Sequence, residues 1–433
     1  MKEKIKAERV WLMRLSALII TALMFVSCRT DHMPLEPELT LSVADVSCTE
    51  VWLKAEGIGS HEFILERDGS EIENYSVISG NIIYDDSLKP NTTYAYRLTR
   101  LSDDERSREV TATTLDTTSH DFQWEVIEFP SPYGSGVLYD VAIIDENDIW
   151  AVGVIFADSA QPSLPYNALH WDGNEWELKR IYYNYHGSDF MRPIPSVFAF
   201  SKNDIWFGNF THWNGMSFES IELNIEFPSQ INKFWGTSSN SFYIVGNSGL
   251  IAHYNGQNWQ KLESPAGASG TDLPIQDIWG AIDPKTGEAF ILCPASDKYN
   301  VSEKKLLQIN TDKHISEIPW PFTDRDPYST WFNSEKEIYV CGGGVIQRNV
   351  KGEYKIISQL PRIFLNKIRG NDINDIFVVG DFGLFAHYNG KSWWIHPDSF
   401  YGTFLSVDVK DNTIVAVGEQ NAREGLVMVV KRN

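Results

Sequence analysis

The stretch from Phe234 to Leu262, FWGTSSNSFYIVGNSGLIAHYNGQNWQKL, constrains this chain more than any other feature, because the C-terminal three quarters of the sequence is built as variations on it. Short runs rich in β-branched and aromatic residues alternate with turn residues: Phe234-Trp235, Phe242 to Val245, Leu250 to Tyr254, and a run from Trp259. Half-buried antiparallel strands have this length and composition. The Asn255-Gly256 pair predicts a two-residue type I′ turn, since these residues best tolerate the positive φ it requires at both positions. One unit reads as a four-stranded meander.

The second run recurs as DIWAVG ending at Gly153, DIWFG at Gly208, FYIVG at Gly246, IYVCG at Gly342, DIFVVG at Gly380 and TIVAVG at Gly418. The turn recurs as HWDGNEW, HWNGMSF, HYNGQNW and HYNGKSW, and Asp277 to Pro319 supplies a divergent copy with AFILC in the second-strand place. Seven units of about 40 residues match the period of propeller blades of four strands each. The last unit, Phe404 to Arg432, stops after its third strand, while FQWEVIEF, Phe122 to Phe129, is a fourth-strand sequence with no strands before it. Joining the two closes the ring, covers an open sheet edge, and is expected to bury Trp124 and Val126.

Residues 1–27 read as a targeting segment: Lys2, Lys4, Lys6, Arg9 and Arg14 form a basic region, and Leu15 to Val26 is an apolar run too short for a comfortable span. The run ends in Phe-Val-Ser-Cys, which resembles the lipobox of bacterial lipoproteins. That resemblance implies lipidation of Cys28 and cleavage in front of it; an ordinary secretory signal is the alternative. Residues 28–38, with two prolines, read as a tether. Arg29 stands where enterobacterial lipoproteins kept at the inner membrane carry aspartate, so an outer-membrane anchor is expected, facing the periplasm or the exterior.

From 39 to 115 about seven short alternating strands argue a β-sandwich. LKPNTTYAYRL, Leu88 to Leu98, resembles the fibronectin type III domain, with Tyr94 as its corner tyrosine and Trp52 in the place of its second-strand tryptophan. Residues 116–121 form a linker, and 122–433 the propeller. The fold class is therefore all-β: a fibronectin type III sandwich followed by a seven-bladed propeller closed by an N-terminal strand.

The turns Gly173 to Trp176, Gly256 to Trp259 and Gly390 to Trp393 resemble the end of the Asp-box of sialidase-type BNR propellers. The box's Ser/Thr and Asp places hold Leu169 and Trp171, Ala252 and Tyr254, and Ala386 and Tyr388, so the boxes are degenerate and imply fold without catalysis. His170, His212, His253 and His387 occupy one place in four different units and so cannot converge on one metal ion; a turn-fixing role is expected. Cys48, Cys293 and Cys341 read as free thiols, the last two replacing valine in successive second strands. With 58 acidic against 37 basic residues and a net charge of −21, nucleic acid is excluded as a partner.

Connections at one face of such a ring are uniformly short, whereas the other face carries Val154 to Asn167, Tyr182 to Pro195, Pro265 to Pro274, Pro294 to Lys304 and Pro321 to Tyr328. Long loops on a rigid scaffold are where binding residues gather. Two are aromatic: Tyr182, Tyr183, Tyr185, His186 and Arg192 in one, Trp320, Phe322, Arg325 and Tyr328 in the other. Tyrosine, tryptophan and arginine anchor interfaces, and aromatic faces stack on sugars; the competing reading is that these rings hold down their own loops. The expected function is a non-catalytic, monomeric, lipid-anchored recognition module for a protein or glycan, touching membrane through its anchor only and using no cofactor or metal. A propeller glycosidase or polysaccharide lyase, or a structural part of an envelope complex, are the alternatives.

Overall fold

The computed structural model describes residues 38–59, 62–72, 76–78, 81–221, 230–262, 271–283, 286–298, 300–397 and 401–433. Cys28 and the targeting segment lie outside the described residues, as does most of the 28–38 tether. Contacts divide the chain into two compact units, one built on Leu53–Ile83 and Tyr94–Thr111, the other on Ala112–Asn433 with Asp45–Trp52 and Tyr84–Thr93.

Two four-stranded sheets come from the N-terminal region. One has the spatial order Thr40–Val46, Val51–Glu56, Ile82–Asp85, Ser76–Ile78; the other Ser70–Glu71, Phe63–Arg67, Thr93–Arg100, Val110–Thr113. Their alternating pattern buries Leu53, Leu65, Ile83, Tyr96 and Leu98. Trp52 is buried, and Tyr94 is half-buried with the Arg67 guanidinium 5.6 Å from its ring centre.

The larger unit holds seven four-stranded antiparallel meanders. Their first strands are Gly136–Asp145, Val197–Ser201, Ile231–Ser238, Trp279–Ile282, Pro327–Trp331, Leu365–Asp372 and Thr403–Lys410. Each packs beside the next and the last packs beside the first, so the sheets close a ring around an axis. Apolar side chains of neighbouring sheets interleave: Leu138, Val141 and Ile149 of the first share a core with Val415, Val417 and Val427 of the last. The last sheet is completed by Phe122–Pro130, which pairs along its whole length with Glu424–Arg432, from Arg432 opposite Phe122 to Glu424 opposite Pro130. Phe122 is the buried anchor of that strand, packed with Phe377 and Phe404. Trp124 departs from expectation: it is 39% exposed, because on the outermost strand its indole reaches over the rim onto His396, 4.3 Å away between centroids.

Two further expectations are corrected. The Asn-Gly turns are four-residue loops: Tyr254 faces Trp259, only Gly256 has positive φ, and the Asn255 side-chain oxygen accepts the N–H groups of Gln257 and Asn258 at 3.0 and 2.8 Å. Asparagine is there for its side-chain acceptor rather than for left-handed backbone. Pro294 to Lys304 is no loop, since paired strands run on to Ser296 opposite Lys304 and Asp297 opposite Asn300.

Each turn histidine belongs to its own sheet. The Nε2 atoms of His170, His212 and His387 lie 2.9, 2.8 and 2.9 Å from Asp148, Asp204 and Asp375, and that of His253 lies 3.0 Å from Ser241 Oγ. All four partners open a second strand, so each histidine ties the third strand to the start of the second. Cys48, Cys293 and Cys341 are buried free thiols, and burial pushes all three up.

Candidate functional site

The first strands do not run straight into the ring. In five sheets the register slips by one residue near the strand's start, so that Tyr139, Asn232, Tyr328, Asn366 and Leu405 are extra residues with no partner in the ladder. Such bulges bend a strand and re-aim a side chain. All five line a single cavity of about 530 Å³ on the axis, together with Gln276 and Pro195, which precede the first strands of the fourth and second sheets. The glycine ending the second strand in each of these five sheets follows from the same geometry. A Cβ on Gly153, Gly246 or Gly418 would overlap the carbonyl oxygens of Val137, Gln230 or Thr403, because the bulge brings the first-strand backbone onto the glycine.

The cavity's other walls are Arg192, Pro193, Gly208, Asn209, Phe210 and Gln230, all from ends of second strands or links between sheets. It therefore opens on the long-loop face. Its amides are largely committed to the scaffold. Asn232 donates to Asn247 Oδ1 and Ile275 O, both at 3.0 Å, Gln276 to Ser296 O at 3.1 Å, and Asn366 to Phe404 O at 2.9 Å.

Beneath lies a buried ionic floor. Lys233 Nζ is 2.7 Å from both Asp140 oxygens, which also accept from Ser406 Oγ at 2.7 Å and Val197 N at 3.0 Å. Asp277 takes Arg369 in a two-pronged contact of 2.6 and 2.9 Å, Ser329 Oγ at 2.6 Å, and Lys367 Nζ at 3.2 Å. Although burial alone would raise both carboxyls, the adjoining cations outweigh it and hold Asp140 and Asp277 below the usual carboxylate range. Burial pushes the Lys367 ammonium down to about 8, opposed by Asp277 and reinforced by the like charges of Arg369 and Lys233. Asp408, held by the N–H groups of Ile143 and Val409 at 2.8 and 3.0 Å, is raised by burial.

Of the residues singled out in the sequence, Arg192 and Tyr328 line the cavity. Tyr182 leads into a small hairpin, Tyr183–Tyr185 with Ser188–Phe190, that ends just before Arg192. Its turn, His186-Gly187, has positive φ at both residues, the type I′ geometry expected elsewhere. Tyr183 packs on the cavity residue Phe210 at 5.7 Å between centroids and on Tyr185 at 6.1 Å. Trp320, Phe322 and Arg325 lie in a different cluster: the two rings meet Tyr354 at 5.8 Å each, Trp320 Nε1 donates to Arg325 O at 2.9 Å, and Arg325 Nη1 donates to Gly343 O at 2.5 Å. These contacts tie down their own loop. Tyr139, Asn232, Gln276, Asn366 and Lys367 escaped the sequence reading, although the glycine recurring at one strand end, opposite a bulge in five of its six copies, was the available sign.

No protein-family model and no curated protein matches the chain. Solved structures match it in fold. A structure of YCF48 bound to D1 peptide aligns with a TM-score of 0.53 at 17% identity, covering 73% of this chain and 98% of that one. The WD40 β-propeller domain of Doa1 gives 0.49 at 14% identity over 73% and 98%, and virginiamycin B lyase from Staphylococcus aureus 0.49 at 10% over 72% and 100%. The ring of sheets is a β-propeller.

Proposed function

We propose that the chain is a lipid-anchored recognition protein of the cell envelope, a fibronectin type III spacer carrying a seven-bladed propeller whose axial cavity binds a segment of a protein partner. The observation that carries the reading is the cavity itself, to which bulged residues from five sheets and flanking residues from the other two all turn. Tyr139, Arg192 and Tyr328 make the contacts, and the hairpin bearing Tyr182, Tyr183, Tyr185 and His186 flanks the entrance. Trp320, Phe322 and Arg325 serve by holding the loop that delivers Tyr328. The peptide carried by YCF48 in its structure supports a protein segment as the kind of occupant. Cys28 bears the lipid and the protein acts as a monomer at the outer membrane.

Selection of a random peptide library on the purified chain tests the binding site. Enrichment by the wild type that disappears in Leu405→Trp, which fills the cavity, supports the reading if the two proteins melt alike; equal enrichment by both sinks it. Palmitate labelling lost in Cys28→Ala tests the anchor. A glycosidase or lyase is the second reading, favoured by a lysine whose ammonium is pushed down to about 8 in a cavity that also contains Arg192 and Tyr139. Release of reducing ends or unsaturated sugars from polysaccharide would establish it in place of binding.

A further inference from the structure

The cavity's donors are not all spoken for. Among the described residues the Arg192 guanidinium, on an exposed residue beside the cavity, has neither a hydrogen-bond acceptor nor an acidic partner, and the Tyr139 hydroxyl has no hydrogen bond. On the floor, three cations, Lys233, Lys367 and Arg369, face two tightly held carboxylates. Lys233 takes both oxygens of Asp140, and Arg369 takes both oxygens of Asp277. That leaves Lys367 as the supernumerary cation, with a single 3.2 Å contact to an aspartate already engaged and its side chain lining the cavity. The third nearby carboxyl, Asp408, is satisfied by backbone N–H groups. In a chain with 58 acidic and 37 basic residues, three donors without a full complement of acceptors in one cavity mark a place for an anion.

The floor also decides how a ligand enters. Asp140 with Lys233, and Asp277 with Lys367 and Arg369, are two buried ion clusters, so a chain threading the axis would have to displace buried ion pairs and the axis is in effect plugged. A segment reaches Lys367 only by an end or by a projecting side chain. Resting on the protein-segment reading above, we propose that the axial cavity captures a carboxylate of the bound segment, with Arg192 and Tyr139 donating from the wall and Lys367 from the floor. A peptide's terminal carboxylate and an Asp or Glu side chain offer the same group; the plugged axis favours the terminus, which needs no bend in the chain.

The test uses two random hexapeptide pools synthesised alike, one ending in a free acid and one in an amide, with matched pools lacking Asp and Glu, each equilibrated with the full chain and quantified by affinity-selection mass spectrometry. Retention of the acid pool at least 10-fold above the amide pool, surviving removal of Asp and Glu, is the expected result. Arg192→Gln and Tyr139→Phe, neither of which disturbs a bond within the protein, should each erase most of that preference while thermal melting is unchanged. A preference that vanishes with Asp and Glu keeps the carboxylate and moves its source to a side chain. Equal retention of acid and amide pools, blocked by Leu405→Trp, overturns the carboxylate inference and leaves the protein-segment reading standing. Retention of neither pool overturns both, and capture of oligogalacturonate instead would keep the carboxylate contact while overturning the protein reading.

Discussion

His120 Nδ1 lies 2.8 Å from His387 Nδ1, and only one of these nitrogens can carry the proton between them. His387 Nε2 faces Asp375 at 2.9 Å and therefore donates to it, which makes His387 Nδ1 the acceptor and His120 Nδ1 the donor. His387 is then neutral, and burial holds His120 neutral as well, since its Nε2 is buried with no acceptor for a second proton. The pair sits where the closing strand begins: Phe122 packs on the His387 ring at 5.0 Å, and Arg432, opposite Phe122 in the ladder, reaches Asp375.

Acid should open the ring at this seam. Burial first, then His387 and Arg432, lower His120 from 6.5 to about 4; burial and Lys313 lower His253 to about 4 as well. Between the two values the unfolded chain binds more protons than the folded one, so stability falls as pH drops from 6.5 towards 4. Melting temperature followed over that range should decline, and the decline should be shallower in His120→Gln. An identical pH profile in the variant would show that the pair is not the responsible group.

The closing strand is held by Phe122 and not by its tryptophan. Phe122→Ala should cost about 3–5 kcal/mol in urea unfolding, the usual range for emptying a buried aromatic site. Trp124→Ala, acting on a ring that is 39% exposed, should cost less than about 1.5 kcal/mol. The reverse order would mean that closure depends on the rim contact with His396.

The ionic floor should respond asymmetrically. Asp277→Ala leaves Arg369 and Lys367 buried without their carboxylate and should cost about 3–5 kcal/mol, whereas Lys367→Met leaves the two-pronged Asp277–Arg369 contact in place and should be neutral or stabilising at pH 7. The wild type, whose folded Lys367 titrates at about 8 against an ordinary 10.5, should gain stability as pH rises between those values. Chemical denaturation of the wild type and both variants at pH 7 and pH 9 reads out each claim.

The glycines ending the second strands should tolerate no side chain. Gly418→Ala drives a methyl into the Thr403 carbonyl and should cost about 1–3 kcal/mol, while Gly187→Ala, with nothing within 4 Å of the added carbon, should cost only the strain of its φ of +81°. Comparable losses at both sites would remove the argument that the bulge sets the glycine.

The repeat was legible from sequence because strand composition and turn residues are local properties that recur every 40 residues or so; an unfinished last unit and an orphan strand at Phe122 then required closure. The unpaired state of Cys293 and Cys341 and the separation of the turn histidines followed from the same periodicity. Arg192 and Tyr328, singled out because long loops concentrate recognition residues, both line the axial cavity. What sequence could not show is which side chains meet on the axis. Tyr139, Asn232, Gln276, Asn366 and Lys367 are spread over more than 200 positions and share no motif, since a bulge is a slip in pairing between strands and leaves its trace only in the partner's glycine. The ionic floor was hidden for the same reason: Asp140 meets Lys233, and Asp277 meets Arg369, only after ring closure has brought first strands from different sheets side by side. The tertiary fold likewise separated the two aromatic loops that sequence had grouped together, since Trp320, Phe322 and Arg325 find their partners in Tyr354 and Gly343, whereas the tyrosine hairpin packs beside the cavity through Phe210.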